Sequence, residues 1–439
     1  MAEIRPFRAV RYNLARVGGL DQVIGPPEDI PSVEHARAIT EGHPYHSVRL
    51  EMHDAQTGAA FASAGRRLRQ WLRDGVLVRD QRPAFYVYEQ EYSHGDERRS
   101  RRGFFAALRL SEPDAGVVLP HEGVLRQNLD LRVDLLRGIR VNLSAVYLMI
   151  KDDGWIGRTL AEVVANSPDV CGSDDEGGVH RLWLVDDPQR VRELREAAAG
   201  QPLYIADGHH RYAAALAYRD ELRLRQGNAG HAESVLAFIA DVSDPGIMIR
   251  PIHRLVRSLG DLSWDVVMTR LTPYFHLQKC SVPELDSPHT IERVIERLER
   301  SEGPPAYLLL GPGGTTLIGA RLRDWRLIEP LLAADVSPLT RRLDVSVLDA
   351  VLLQHVMGIA PDEIEERIEF SPDVEQAVQA VRSGEASMAA FVRPTPLSAL
   401  LAVARSGERM PQKSTYFYPK VPIGLVIHDL EEWDASVSP

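Results

Sequence analysis

The segment of the sequence that most constrains the fold spans residues 202–216, where an apolar run is interrupted by Asp-Gly-His-His-Arg and then resumes. Residues 203–205 are Leu, Tyr and Ile, which favour a β-strand, and Gly208 can adopt a backbone conformation that most residues avoid. Residues 210–216 are rich in good helix formers. The segment therefore predicts a strand, a tight turn and the start of a helix in immediate succession.

The turn within this segment carries residues that suit an anion. The N-terminus of a helix presents backbone N–H groups and the positive end of the helix dipole. His209, His210 and Arg211 add side-chain donors for phosphate oxygens, and Asp207 is placed to orient a metal ion or a reacting hydroxyl group. The turn thus indicates phosphate binding, but it equally allows a plainer arrangement in which Asp207 only caps the helix and Arg211 only forms a surface ion pair.

The length of the chain requires more than one hydrophobic core. Its 439 residues exceed an ordinary single domain, and a hydrophobic content of 44% with 26% charged residues is typical of a folded protein. Strand and helix patterns follow each other in a mixed order, which favours an α+β fold with mixed sheets and helices. The patterns predict a hairpin across residues 311–314, a helix that Asp344 caps and whose apolar stripe packs inward, and a closing strand over residues 423–427. We place a domain boundary near residue 256, between a first domain of residues 1–256 and a second α/β domain of residues 257–439.

The net charge, the length of the apolar runs and the cysteine content show which partners and which cysteine-based sites are not expected. A formal net charge of -11 argues against a general nucleic-acid binder, and no apolar run approaches the ~20 residues of a membrane span. The two cysteines are far apart and form no Cys-x-x-Cys pair, so neither a disulfide framework nor a zinc ribbon is expected. We expect a cytoplasmic protein without nucleic acid or membrane as partner; the oligomeric state stays open, and a homo-oligomer is compatible with the sequence.

Two further segments carry polar groups in rigid surroundings. Residues 26–29 read Pro-Pro-Glu-Asp, and the two prolines fix a turn that aims Glu28 and Asp29 outward unless it is simply a surface turn before a helix. Lys413, Ser414 and Thr415 lie in an aromatic loop bounded by prolines. Their charge and hydroxyl groups could hold a carboxylate or a phosphate, or the hydroxyls could pair only with their own backbone.

These segments together carry a resemblance to a known family. Residues 26–29, 207–212, 251–254 and 410–420 resemble, across essentially the whole chain, a bacterial and archaeal family that is similar to the free-serine kinases of the ParB/sulfiredoxin-like superfamily. The motifs shared with the kinases are the strand that ends in Asp-Gly-His-His-Arg plus an aromatic residue, and a later Lys-x-Thr loop preceded by Pro-Thr.

The resemblance implies a fold and an activity. The implied fold is a ParB/sulfiredoxin-like nucleotide-binding core plus a second α/β domain. The implied activity is the transfer of a phosphoryl group from ATP or ADP, with Mg²⁺, to a small hydroxyl amino acid, with free L-serine as the first candidate. The partners expected from it are therefore a nucleotide and a hydroxyl amino acid.

The resemblance also implies roles for individual residues. Asp207 would sit beside the transferred phosphoryl group, and the catalytic base would be Asp29 or Glu28, with the choice between them open. The nucleotide phosphates would be held by Gly208, His209, His210 and Arg211. The loop of the second domain that would face this site and bind substrate comprises Lys413, Ser414 and Thr415.

Two other functions remain compatible with the same residues. The first is a ParB-like regulatory protein that binds or hydrolyses a nucleotide without phosphorylating a metabolite. The second is a metal-dependent hydrolase that would use His209, His210 and His253, although these residues lack the i, i+4 histidine spacing of common zinc enzymes.

Overall fold

A computed structural model of the chain describes residues 1–25, 39, 41–51, 57–95, 97–152, 154–174, 177–280 and 288–431. It shows helices together with several β-sheets, which confirms the prediction of an α+β fold with mixed sheets. In this part of the chain no helix is both long enough and apolar enough to cross a membrane. The turn with Glu28 and Asp29 lies outside the described residues, so their expected role stays a prediction.

The chain divides into two compact units that are not simple halves. The first unit comprises Met1–Pro120, Val124–Met248 and Pro419–Pro439, and the second comprises His121–Gly123 and Ile249–Tyr418. The main break thus lies a few residues before the boundary expected near residue 256. Local sequence patterns also did not indicate that the C-terminal segment returns to the first unit. The assignment of a nucleotide-binding role to one domain stays a prediction.

The first unit is built on a nine-stranded mixed sheet. Val146–Ile150 is parallel to Ser234–Asp241 and antiparallel to Leu203–Asp207. Val146–Ile150 is buried throughout, as expected for a central strand with both faces covered. From edge to edge the strands are Val118–Leu119, Leu203–Asp207, Val146–Ile150, Ser234–Asp241, Glu97–Arg109, Phe85–His94, Val179–Val185 and Val170–Ser173, with Ile4–Arg5 also paired to Glu97–Arg109.

Helices and two small sheets complete the first unit. The two-stranded sheets pair Val10–Tyr12 with Leu77–Arg79 and Val141–Asn142 with His428–Asp429. The strand expected over residues 423–427 is wrong, because Gly424 has a φ of 90° and breaks the extended chain. The helices are Leu14–Val17, Val48–Glu51, Gly58–Arg73, Arg126–Ile139, Trp155–Val164, Pro188–Ala199 and His209–Gln226, with short 3₁₀ turns at Pro113–Ala115 and Gly230–Glu233.

The second unit contains a six-stranded antiparallel sheet. The hairpin predicted across residues 311–314 is confirmed by the pairing of Ala306–Leu310 with Leu317–Leu322. The strand order is Phe275–Lys279, Leu317–Leu322, Ala306–Leu310, Met388–Phe391, His253–Val256 and Ile368–Ser371, and the short strands Met248–Arg250 and Tyr416–Tyr418 lie outside this sheet.

The helices of the second unit include one π-helix. The segment Asp344–Val347 begins as an α-helix and continues as a π-helix over Leu348–Val356. Asp344 was expected to cap this helix, but Leu343 occupies the N-cap position, and the Asp344 carboxylate instead accepts two hydrogen bonds from Arg393 at 2.6 and 3.0 Å. The other helices are Trp264–Leu271, Pro288–Glu299, Trp325–Ile328, Pro338–Arg341, Ile364–Arg367, Val374–Ser383 and Leu397–Ser406, with 3₁₀ turns at Pro312–Gly314, Glu329–Leu331 and Pro361–Glu363.

Two glycines allow a close helix contact in the first unit. A Cβ atom at Gly65 would lie 2.1 Å from the carbonyl oxygen of Gly138, and a Cβ atom at Gly138 would lie 2.6 Å from the Phe61 backbone. The helices Gly58–Arg73 and Arg126–Ile139 therefore meet backbone to backbone, and no larger residue fits at either position.

We expect Gly65→Ala to destabilise the protein, although alanine is the better helix former by about 1 kcal/mol. The clash with the Gly138 backbone should cost about 1–3 kcal/mol and outweigh that gain. The matched control is Gly157→Ala in another helix of the same unit, where nothing lies within 4 Å of the added Cβ and a small stabilisation is expected. Urea denaturation of both variants checks this, and a Gly65→Ala protein as stable as the control would contradict the helix contact.

Candidate functional site

The candidate site begins where the strand Leu203–Asp207 ends. The pairing register with the neighbouring strand shifts between Ile205 and Asp207, which is the signature of a β-bulge. A bulge re-aims the side chain that follows it. Asp207 is thereby the last strand residue, and Gly208 connects it directly to the helix His209–Gln226. The predicted succession of strand, turn and helix is confirmed.

Gly208 is required at this turn for two reasons. Its φ of 94° lies in the left-handed region that favours glycine. In addition, a Cβ atom here would lie 2.8 Å from Nε of Arg211, so the Arg211 guanidinium packs over the glycine. Gly208 itself occupies the N-cap position, and no side chain caps the helix there. Asp207 is therefore not a simple helix cap.

Asp207 lies between two cations. Its carboxylate accepts hydrogen bonds from Nη2 of Arg211 and from Nζ of Lys420. All three side chains are largely buried, with exposed fractions of 24% for Asp207, 12% for Arg211 and 16% for Lys420. Burial alone would raise the pKa of Asp207, but the Lys420 ammonium and the Arg211 guanidinium outweigh burial and hold this pKa well below its ordinary value. The carboxylate is therefore ionised at neutral pH.

Lys420 is the member of this site to which sequence reasoning assigned no role. It closes the aromatic loop motif that supported the resemblance, but 213 residues separate it from Asp207. Its backbone is held by two neighbouring strands, because Arg101 donates from Nη1 to the Pro419 carbonyl at 2.6 Å and Gln90 donates to the Lys420 carbonyl at 3.4 Å. Arg101 is itself buried, with its guanidinium 5.0 Å from the centre of the Tyr147 ring. The sequence signal that could have indicated Lys420 is its position as a cation at the end of the 410–420 motif. That motif supported the resemblance together with the turn of residues 207–212.

The remaining residues of the turn have different surroundings. His209 is buried, and its charge is one of the influences that lower the pKa of Asp207. Nε2 of His210 accepts a hydrogen bond from the Leu125 backbone N–H at 3.1 Å, so the neutral ring carries its proton on Nδ1. Tyr212 has a structural role, since its hydroxyl group donates to the Ser111 carbonyl at 2.9 Å.

The predicted substrate loop lies in the second unit. Lys413 has a φ of 57° and an exposed side chain, whereas Ser414 is buried and donates its hydroxyl hydrogen to the Pro411 carbonyl at 2.5 Å. Thr415 donates to a carboxylate oxygen of Glu122 at 3.4 Å and lies 3.0 Å from Nε2 of His121. The Ser414 hydroxyl therefore pairs with the backbone of its own loop, whereas the Thr415 hydroxyl contacts the side chains of Glu122 and His121.

A buried ion pair supports this loop. Arg254 is fully buried, donates to the Lys413 carbonyl at 3.3 Å and contacts the Asp349 carboxylate at 3.2 Å. Asp349 comes from the π-helix, a form of helix that is frequent at functional sites. A non-glycine residue at positive φ costs of order 1–3 kcal/mol, so its surroundings must hold it there. The Arg254–Asp349 pair supplies such a support for Lys413.

The histidines do not form a metal centre in the described part of the chain. No group of three or more His, Cys, Asp or Glu residues that could hold a metal ion occurs among those residues. His253 is buried beside Phe391, and burial lowers its pKa to about 3, so it is neutral at physiological pH. Within the described ranges, His209, His210 and His253 thus belong to no such group.

Comparison with known sequences shows the family of the chain. The family model described as "Protein of unknown function (DUF1015)" matches residues 4–346. Because the match covers more than half of the sequence, the chain belongs to this family. A search of curated proteins finds no match.

Comparison with solved structures finds chains with low similarity. A free serine kinase mutant in complex with AMP has a TM-score of 0.37 and 13% identity, with 74% of this chain and 91% of that chain covered. A second mutant, in complex with ADP, has a TM-score of 0.37 and 14% identity over 74% and 91% of the two chains. SbnI with a C-terminal truncation, from Staphylococcus aureus, has a TM-score of 0.35 and 9% identity over 75% and 90%. TM-scores this low carry no argument about function, which must come from the site itself.

We expect Lys420→Met to destabilise the protein by about 1–3 kcal/mol near neutral pH, because the buried Asp207 carboxylate then keeps only one of its two cations. The folded-state pKa of Asp207 is lowered, so the interaction contributes fully above the unfolded-state pKa of about 3.9 and is lost as the pH falls through the folded-state value. Because the folded-state pKa lies far below neutrality, the cost of the substitution should be fully present near pH 7. Urea denaturation near pH 7, with Lys420→Met made in the wild-type protein and in Asp207→Asn, measures how much of the cost acts through Asp207.

The matched control for that experiment is Lys151→Met, which removes an exposed lysine of the same unit and should change stability little in either background. An equal cost of Lys420→Met in the wild-type and Asp207→Asn backgrounds would show that the lysine acts through packing and not through its charge on Asp207.

We expect Asp349→Asn to cost about 3 kcal/mol, because it leaves the fully buried Arg254 guanidinium without its carboxylate. Glu296→Gln serves as the control, since it removes a carboxylate whose ion pair with Arg300 is exposed and should matter little. Denaturation curves of both variants give the change in the free energy of unfolding. Equally small changes would contradict a supporting role for the Arg254–Asp349 pair.

Proposed function

We propose that this member of the DUF1015 family is a small-molecule kinase that transfers a phosphoryl group from ATP or ADP to a hydroxyl amino acid, with free L-serine as the first candidate acceptor. The observation that carries the proposal is the arrangement at Gly208, where Arg211 and Lys420 converge on one carboxylate at the beginning of a long helix. Phosphoryl transfer depends chiefly on positioning and on stabilising charge. Two largely buried cations and a helix N-terminus supply both.

The two cations are proposed to bind the phosphates. In the structure Arg211 and Lys420 both contact Asp207, which keeps their charges balanced and their positions defined. A nucleotide phosphate would approach the helix N-terminus and share these cations with Asp207. Charge-assisted hydrogen bonds of this kind contribute about 1.5–3 kcal/mol each. Loss of Arg211 should thus weaken nucleotide binding or turnover roughly ten- to a hundredfold.

Asp207 is poorly suited to act as the base for the acceptor hydroxyl. A general base works best when its pKa lies near the operating pH, whereas the cations hold the pKa of Asp207 far below neutrality. We therefore assign Asp207 to orienting Lys420 and Arg211. The base remains Asp29 or Glu28 in this proposal, on the resemblance alone.

Mg²⁺ is also part of the proposal. Magnesium in phosphoryl-transfer enzymes is held by one or two carboxylates together with the phosphates of the substrate. Asp207 is already paired with Arg211 and Lys420, so we assign no protein ligand to this ion. When bound, the ion would neutralise charge on the phosphates.

The loop of the second unit is proposed to contribute to acceptor binding. The exposed ammonium of Lys413 suits the carboxylate of an amino acid, and Thr415 presents a hydroxyl group beside Glu122. Ser414 is buried with its hydroxyl on Pro411, so a direct contact with substrate would require the loop to rearrange.

We expect a phosphorylated amino acid when the protein is incubated with ATP or ADP, Mg²⁺ and a pool of hydroxyl amino acids, with mass spectrometry as the readout. Arg211→Ala should lower the yield of product roughly ten- to a hundredfold and Asp207→Asn should abolish it, and neither variant should unfold the protein. Arg225→Ala, an exposed arginine near the other end of the same helix, is the matched control and should retain activity.

The outcomes of this experiment separate the candidate functions. Turnover like that of the wild type in either site variant would contradict the site assignment. Nucleotide hydrolysis that is unchanged by added amino acids would contradict the kinase and favour a ParB-like nucleotide-hydrolysing regulator.

A further inference from the structure

The backbone that carries the lysine of the proposed phosphate site is attached to the sheet of the first unit at two points. Gln90 and Arg101 lie directly opposite each other on two neighbouring strands. Arg101 donates from Nη1 to the Pro419 carbonyl at 2.6 Å, and Gln90 donates to the Lys420 carbonyl at 3.4 Å. The two side chains are also joined to each other, because Nη2 of Arg101 donates to Oε1 of Gln90. One linked pair of buried side chains thus contacts both carbonyl groups of this segment.

The same guanidinium group also contacts the strand beside Asp207. It lies 5.0 Å from the centre of the Tyr147 ring and 5.5 Å from the centre of the Phe238 ring. Tyr147 is paired with Asp207 on one side and with Phe238 on the other. A planar guanidinium that packs on aromatic faces has a defined orientation. Arg101 therefore contacts both the strand position opposite Asp207 and the backbone next to Lys420.

Stability alone does not account for an arginine at this position. Arg101 is only 1% exposed, and its two hydrogen-bond acceptors are a backbone carbonyl and an amide oxygen, which carry no formal charge. Its Nε–H group is buried and has no hydrogen-bond partner in the part of the chain that the structure describes. A guanidinium buried in this way costs desolvation free energy that a well-packed apolar side chain would not. A role in fixing its neighbours accounts for the arginine better.

We propose that Arg101 is a positioning residue for phosphate binding, and that it acts by fixing the position of the Lys420 ammonium beside Asp207. Its contact with the Pro419 carbonyl prevents the segment from shifting and carrying the ammonium away from the carboxylate. Gln90 supports the same segment through the Lys420 carbonyl. The affinity for a pyrophosphate group therefore depends on a buried arginine that does not contact the ligand. The inference rests on the proposed function, because it requires Lys420 to bind phosphate.

The test is calorimetric titration of the full chain with pyrophosphate. Lys420→Met should weaken binding about ten- to a hundredfold, because a charge-assisted contact is lost. Arg101→Lys keeps the positive charge but not the planar two-point contact, and it should weaken binding about three- to tenfold. In the Lys420→Met background it should cause no further loss. If Arg101→Lys does not fold, Gln90→Met gives the same comparison, because it removes the contact with the Lys420 carbonyl and an acceptor of Arg101.

The matched control is Arg219→Lys. Arg219 is another buried arginine of the same unit, 2% exposed, and it donates to the Leu110 carbonyl at 3.3 Å and to the Glu112 carboxylate. These partners belong to a different part of the unit, so the substitution should lower the stability in urea and leave the affinity for pyrophosphate unchanged. Circular dichroism establishes that each variant is folded.

The outcomes separate this inference from the proposed function. If the wild-type protein does not bind pyrophosphate, or if Lys420→Met binds it as tightly, the phosphate site fails and the role of Arg101 fails with it. If Arg101→Lys binds as tightly as the wild type, or weakens binding equally in the Lys420→Met background, the phosphate site stands and the positioning role is overturned. Equal weakening by Arg219→Lys would also overturn it, since it would show a general loosening of the unit.

Discussion

The contact of one buried carboxylate with two cations is the interaction on which the first unit's candidate site depends. Asp207 lies at a strand end, and burying its charge would be costly without Arg211 and Lys420 beside it. The same contact draws the C-terminal segment onto the sheet of the first unit. It also determines the chemistry, because a carboxylate with a strongly lowered pKa orients cations and does not accept protons well.

Further groups fix the geometry of this contact. Gly208 leaves room for the Arg211 guanidinium, and Arg101, itself buried, holds the Pro419 carbonyl so that Lys420 follows in place. The buried Arg101 guanidinium also donates from Nη2 to Oε1 of Gln90 and lies over the Tyr147 ring. These contacts thus fix the positions of Arg211 and Lys420 beside Asp207.

In the second unit, too, a pair of opposite charges holds a segment of the candidate site, here the loop with Lys413. The π-helix brings Asp349 to Arg254, and Arg254 in turn supports the strained backbone of Lys413. The helical periodicity of the sequence predicted an ordinary helix here, since the extra residue of a π-turn leaves no clear mark on the spacing of apolar residues. The ion pair therefore followed only from the structure, although Arg254 lies in a motif that the sequence singled out.

The sequence by itself determined the α+β class, the hairpin across residues 311–314, and the strand, turn and helix around Gly208, because hydrophobic periodicity and turn chemistry act over a few residues. It could not determine that Lys420 meets Asp207, nor that Arg101 contacts the Pro419 carbonyl. Those contacts join residues far apart in the chain. Only the tertiary structure decides them, because packing of the sheet and helices selects which distant charge can neutralise a buried carboxylate.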